Sequence, residues 1–220
     1  MKPVLIYTMP RTKGNATLEA CKRTHKFNEP FEVNNLPNLV GPLDSYINVV
    51  KTLVEYDGQD DLFNKLNTPD SACKIFGHGL TYYYPARSWF SMAQQTHDVF
   101  ILVRNVRAMI ISELLAPHFG YTRSSSKEDR PIEIKEQQFA LASQIIFGFL
   151  RFYPANGRLI TFETLPTDYF DKSLIVTENQ YSQSKFDLIT NGKEVQDNIQ
   201  AIMAFHDDEW KEKTGFSIFA

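Results

Sequence analysis

Cysteine is scarce in this chain. Its 220 residues hold two, Cys21 and Cys73, which form neither a disulfide framework nor a thiolate metal spacing. A reducing compartment, the cytoplasm, is the simpler expectation. Long apolar runs are lacking too. The best stretch, 99–115, is broken by Arg104, Asn105, Arg107 and Glu113, so it cannot supply a span of ~20 apolar residues. The apolar run near Met1 is far too short for a secretory leader, and Arg11 and Lys13 follow at once. Positive charge is not in excess: the formal net charge is -3, which argues against holding nucleic acid by bulk charge. Neither a membrane nor a nucleic-acid partner is expected. Any anion must be held by local cations and backbone N–H groups. No internal repeat or low-complexity block occurs.

What the chain does have is apolar residues in short blocks. They make up 43% of it, enough at this length for the core of a single domain covering 1–220. Residues 4–9 are rich in strand formers and are stopped by Pro10; 72–77 and 158–162 read as strands in the same way. The unbroken run 99–103 is of the kind buried on both faces of a parallel sheet. Helical patterns fall at 16–23, 46–56, 86–95, 107–115, 134–152 and 191–210. The proline- and asparagine-rich stretch 27–43 and the polar stretch 121–131 read as loops. Strands alternating with helices predict an α/β fold, three layers α/β/α around a central parallel sheet. Ligands of such sheets bind beyond the carboxyl ends of the strands. Arg11, Lys13, His78 and Arg104 all fall there.

Two constellations carry the chemistry. The first is Pro10-Arg11-Thr12-Lys13-Gly14-Asn15-Ala16-Thr17 between a strand and a helix. A tight loop opening a helix offers backbone N–H groups and the positive end of the helix dipole to a phosphate. Arg11 and Lys13 add charge, and Thr12, Asn15 and Thr17 add donors. The Gly-Lys-Ser/Thr ending that would hold Mg²⁺ beside a triphosphate is missing, and no metal is expected. The same residues also suit an ordinary strand-to-helix turn with solvated cations. The second constellation runs from Val99 to Ser112. Arg104 closes a strand and Ser112 lies about two turns into the next helix, so both can face one anion, as a guanidinium fork and a hydroxyl donor. An arginine ending a strand and a serine packing a helix would look alike.

Together the two segments resemble the sulfotransferase family. Its phosphosulfate loop has the form Pro-Arg-Ser-Gly-Ser-Thr, and its 3'-phosphate segment the form Arg-Asp/Asn-Pro-Arg-x-x-x-x-Ser. Arg104, Asn105, Arg107 and Ser112 fall in register, with Val106 in place of the proline. Pro10, Arg11 and Thr12 match the loop, whereas Lys13 is an extra residue and Asn15-Ala16-Thr17 replaces the hydroxyl pair. Lys74-Ile75-Phe76-Gly77-His78 resembles the strand ending in Lys-x-His, with two residues more between Lys and His. Arg158 to Leu165 resembles the family's late strand.

The resemblance implies a P-loop nucleotide-triphosphatase-like fold and a transfer without metal. A sulfuryl group would pass from 3'-phosphoadenosine 5'-phosphosulfate, the co-substrate, to a hydroxyl or amine on a small-molecule or carbohydrate acceptor. Arg11, Thr12, Lys13, Gly14, Asn15, Ala16 and Thr17 would hold the 5'-phosphosulfate, with Arg11 or Lys13 as the catalytic cation. Arg104 and Ser112 would hold the 3'-phosphate. His78 would be the base, or a carboxylate such as Glu19, Glu29 or Glu55, with Glu163 structural. The rings of Trp89, Tyr82, Tyr83 and Tyr84 would line a pocket or pack the core. The competing readings are a P-loop-type nucleotide kinase and a catalytically inactive nucleotide-binding module of the same fold.

Overall fold

The computed structural model of the chain describes residues 2–25, 64, 66–69, 71–81, 84–119, 131–161, 164–170 and 186–220. Four parallel strands form one sheet in the order β2-β1-β3-β4: β1 Val4–Thr8, β2 Ala72–Phe76, β3 Asp98–Leu102 and β4 Arg158–Ile160. Among the described residues, five α-helices of eight residues or more accompany them: α1 Gly14–His25, α2 Tyr84–Thr96, α3 Val106–Phe119, α4 Glu136–Arg151 and α5 Gly192–Thr214. A 3₁₀ turn, Gly77–Thr81, follows β2 directly. The expected α/β class with a parallel sheet is the observed one. The segments 27–43 and 46–56, and 121–131 apart from its last residue, lie outside the described residues.

Burial explains the strands. All five residues of β1 are shut off from solvent, as a central parallel strand covered on both faces requires. Alternation then divides its side chains. Val4 and Ile6 join Leu18, Cys21, Phe100, Leu102, Ile160 and Phe170 on the α1 side. Leu5 and Tyr7 join Ile75, Ile101, Phe149 and Trp210 in the larger core formed with α2 to α5. Cys21 and Cys73 are both buried and free; burial pushes the Cys21 thiol up to about 12 and Cys73 higher still. β4 is shorter than the pattern 158–162 predicts, and α2 begins two residues early, with Pro85 in its first turn. Proline costs nothing there, because the N–H it lacks has no helical partner.

The larger core depends on a backbone-to-backbone contact. A Cβ on Gly77 would lie 2.6 Å from Phe149 Cα and 2.8 Å from Gly148 O, and one on Gly148 would lie 2.3 Å from His78 Cα. Only hydrogen fits on either side. The approach lets the Tyr7 hydroxyl donate to Phe149 O at 2.7 Å. That carbonyl would otherwise take the Tyr153 N–H, which turns instead to Leu150 O. Tyr7 therefore caps an orphan carbonyl in the last turn of α4. Its ring stacks on Phe90 at 5.3 Å and on Phe149 at 5.1 Å, each such pair contributing about 0.5–1.5 kcal/mol beyond burial.

Two histidines are buried within this packing. His97 pairs with Thr96 Oγ1 and Leu66 O, both at 2.9 Å, and His206 Nε2 lies 3.1 Å from Ser143 Oγ. Trp89 donates to Asn67 Oδ1 at 3.1 Å and is buried, so of the rings considered for a pocket this one belongs to the core. Tyr82 and Tyr83 are outside the described residues.

Two tests follow from the packing. Gly148→Ala gains helix propensity, yet its methyl meets backbone that cannot yield. We expect it to lose stability by about 1–3 kcal/mol, the range for overpacking, while Gly192→Ala, with nothing within 4 Å of its Cβ, loses none. Urea denaturation of the two variants checks this, and equal midpoints refute the close contact. The second test is acid. Burial lowers the pKa of His78 to about 4 and also lowers those of His97 and His206. Below about 6.5 the unfolded chain then binds protons that the folded chain refuses, so stability falls with pH. The slope is at most about 1.4 kcal/mol per pH unit for each histidine. Melting at pH 7, 6 and 5 should show the decline, and His78→Gln should make it shallower.

Candidate anion-binding site at the carboxyl edge of the sheet

The chain leaves β1 toward β2 on one side and reaches β3 on the other. The crevice beyond β1 and β3 is therefore the switch point where ligands of parallel sheets bind. At its floor the Thr8 hydroxyl donates to Leu102 O at 2.9 Å, joining the ends of β1 and β3. The Thr12 hydroxyl lies 2.7 Å from Met9 O and beside Thr8 Oγ1, and donates its one proton to one of the two. Thr12 is fully buried. Its side chain anchors the loop from below.

An inward Thr12 dictates what its neighbours do. Arg11 and Lys13 both adopt left-handed backbone, φ 62° and 61°. For residues other than glycine this costs roughly 1–2 kcal/mol each. Such conformations turn successive N–H groups toward one side and make anion-binding concavities. The loop opens directly into α1, whose first N–H groups have no helical partner. Thr17 N donates to Lys13 O at 3.0 Å, and its hydroxyl reaches the same carbonyl at 3.2 Å. The hydroxyls of Thr12 and Thr17, expected as donors to an anion, both bond inside the protein in this structure. Ala16 is half-buried against the α1-side core, and the side chain of Asn15 is outside the description.

Gly14 begins α1 where a Cβ would come within 2.8 Å of Lys74 Cδ and 3.1 Å of Thr8 Cγ2. Its missing side chain lets the helix start settle over the Lys74 stem. Lys74 is buried, and burial lowers its amine to about 8. Lys74 Nζ lies 4.7 Å from the centre of the Phe76 ring, and that ring stacks on His78 at 5.6 Å. Residues 74 and 76 share one face of β2 by alternation.

Arg11 and Arg104 meet across the crevice. Arg11 Nε donates to Ser112 Oγ at 3.1 Å, and Arg104 Nη1 donates to Arg11 O at 3.1 Å. Burial and then the charge of Arg11 hold the Arg104 guanidinium below its ordinary value. Two cations side by side in a half-buried place favour an anion between them. Ser112 is therefore joined to Arg11 of the first segment as well as to the helix that follows Arg104. Asn105 serves the helix itself, because its Oδ1 accepts from Ala108 N at 2.9 Å and caps α3. Val106 stands at the first helical position, where proline is favoured. Arg107 is exposed.

His78 does follow β2 at the carboxyl edge, as its place after a strand predicts. Its ring is largely buried, however, and Nδ1 has neither water access nor a partner. Burial lowers its pKa to about 4, which makes it a weak proton acceptor at neutral pH. Among the alternative carboxylates, Glu29 and Glu55 lie outside the described residues, as does Glu163, expected to be structural.

One residue of this neighbourhood escaped the sequence reading. Glu113, next to Ser112 on α3, has Oε2 buried without a partner. Burial raises its pKa, and the charge of Arg11 partly opposes the rise. An acid among Ile110, Ile111, Leu114 and Leu115 was the available signal. In comparisons with protein-family models, curated proteins and solved structures, the chain matches none.

Proposed function

We propose that the chain is a sulfotransferase that takes its sulfuryl group from 3'-phosphoadenosine 5'-phosphosulfate, without a metal, and passes it to a hydroxyl or amine. The observation that supports this best is the pairing of Arg11 and Arg104 at the switch point, beside two left-handed residues and the start of α1. That donor set is cationic and rich in N–H groups, as a phosphosulfate and a second phosphate require.

In the proposed transfer the acceptor oxygen or nitrogen attacks sulfur in line. The new bond to sulfur forms as the bond from sulfur to the bridging oxygen breaks, and that oxygen leaves on the nucleotide's 5'-phosphate. The acceptor's proton goes to a base. Negative charge grows on the leaving oxygen, so the protein acts by positioning the groups and neutralising that charge. Arg11 or Lys13, with the N–H groups of the loop and of α1, would do so. Arg104 would hold the 3'-phosphate. Ser112 would orient Arg11 through the bond it already makes.

A binding module of the same architecture, without turnover, is the second reading. The burial and lowered pKa of His78 favour it, because the residue that the family resemblance makes the base is poorly suited to accept a proton.

The ligand is tested first. 3'-Phosphoadenosine 5'-phosphate should stabilise the protein against heat without Mg²⁺, by about 2.7 kcal/mol at 100 times its dissociation constant. AMP should do much less; equal shifts would remove the 3'-phosphate from the reading. Binding is then separated from chemistry. Arg104→Ala should weaken the bisphosphate by roughly 1.5–3 kcal/mol, the range for a hydrogen bond to a charged group. Of Arg11→Ala and Lys13→Ala, one should lower turnover of the phosphosulfate on a panel of hydroxyl and amine acceptors far more than it lowers nucleotide affinity. Tight binding with no turnover on any acceptor selects the binding module instead.

A further inference from the structure

Arg104 and Ser112 both grip the same residue of the first segment. Ser112 Oγ, on α3, accepts from Arg11 Nε at 3.1 Å, and Arg104 Nη1, from the link between β3 and α3, donates to Arg11 O at 3.1 Å. Arg11 is thus held at its side chain and at its carbonyl by one stretch of chain. The hold on the carbonyl has the longer reach. A peptide unit is planar, so fixing Arg11 O also fixes the direction of the Thr12 N–H. That peptide stands between two residues in left-handed backbone, Arg11 at φ 62° and Lys13 at φ 61°. Residues other than glycine stay in this conformation only where their surroundings over-determine it. Lys13 O accepts from Thr17 N at 3.0 Å, which ties the end of the turn to α1. The Thr12 hydroxyl, turned inward, ties its middle. Arg104 adds a hold from outside the segment that joins β1 to α1. A guanidinium has five N–H donors in a planar fork, so it can serve a carbonyl and an anion together.

We propose that Arg104 is a clasp for the phosphosulfate loop as well as a contact for the 3'-phosphate: its bond to Arg11 O holds the left-handed turn whose N–H groups meet the anion. This rests on the reading of the crevice as a phosphosulfate site. Toward the 5' end of the nucleotide Arg104 is a positioning residue, acting through the peptide between Arg11 and Thr12. A ligand with no 3'-phosphate therefore still depends on it. A residue that only met the 3'-phosphate would be indifferent to such a ligand.

Adenosine 5'-phosphosulfate is the probe, because it carries the phosphosulfate and lacks the 3'-phosphate. Its affinity for the full chain is measured by calorimetry beside that of 3'-phosphoadenosine 5'-phosphate. Both titrations are run in ~0.3 M sodium chloride, where attraction across more than ~6 Å is screened. We expect Arg104→Ala to weaken the probe about tenfold, roughly the effect of one hydrogen bond, and the bisphosphate by more. Arg104→Lys can still donate to Arg11 O but has no planar fork. It should bring the probe back to within about twofold of the wild type and leave the bisphosphate weakened. A loss confined to the bisphosphate in Arg104→Ala, or no rescue of the probe in Arg104→Lys, overturns the clasp and leaves the 3'-phosphate contact standing. Should Arg104→Ala fail to fold, the unaltered protein is measured instead. In its ligand-free form, labelled with carbon-13 and nitrogen-15, a scalar coupling across the hydrogen bond should join Arg104 Nη1 to the Arg11 carbonyl carbon, and its absence overturns the clasp. A wild type that binds neither nucleotide overturns the clasp and the proposed function together.

Discussion

The hydroxyl of Thr8, donating to Leu102 O across the ends of β1 and β3, is the bond from which the candidate site is built. Buried polar groups must be paired, and Thr8 Oγ1 also faces the Thr12 hydroxyl, which lies 2.7 Å from Met9 O and donates to one of these two acceptors. Once Thr12 is drawn inward, the residues flanking it turn the other way. Two non-glycine residues are then held in left-handed backbone, a combined strain of roughly 2–4 kcal/mol. Strain of this size persists only where the surroundings over-determine it. Here the surroundings are two strand ends, the start of α1 and the Arg104 bond to Arg11 O.

A second constraint carries the opposite face. Gly77 and Gly148 let the turn after β2 lie directly on α4, and Tyr7 closes the contact by capping Phe149 O. The two constraints act on adjacent residues of one strand, Tyr7 toward α4 and Thr8 toward the loop. Alternation in β1 thus divides its work between the core and the candidate site.

Much of the architecture was legible in the sequence. The short apolar runs at 4–9, 72–77 and 99–103 have the composition that strands buried on both faces demand, and the five described helices fall where apolar spacing and turn residues put them. The position of Arg11, Lys13 and Arg104 on one edge follows from parallel strands alone. Direction was less legible than position. Nothing in the string Arg11-Thr12-Lys13 says that the threonine faces inward, since a hydroxyl suits an anion or a carbonyl equally well. The bond from Arg11 to Ser112 depends on that inward turn and was hidden with it. Gly148 gave a faint signal, because a glycine inside a helix costs about 1 kcal/mol against alanine and implies a packing reason. His78 between two glycines suggested an open catalytic turn. The glycine before it brings the backbone against α4, and Nδ1 of the histidine is sealed from water there.

The burial of both thiols has a practical consequence. A thiol reacts as its thiolate, and with Cys21 pushed up to about 12 and Cys73 beyond that, neither presents an appreciable nucleophile at neutral pH. The folded protein therefore offers thiol-directed labels almost nothing to attack. A single cysteine introduced on an exposed helical position, such as Gln200 on α5, would take a fluorophore or spin label selectively, with the native pair left in place. Such a label can be introduced without first removing residues on which the core relies.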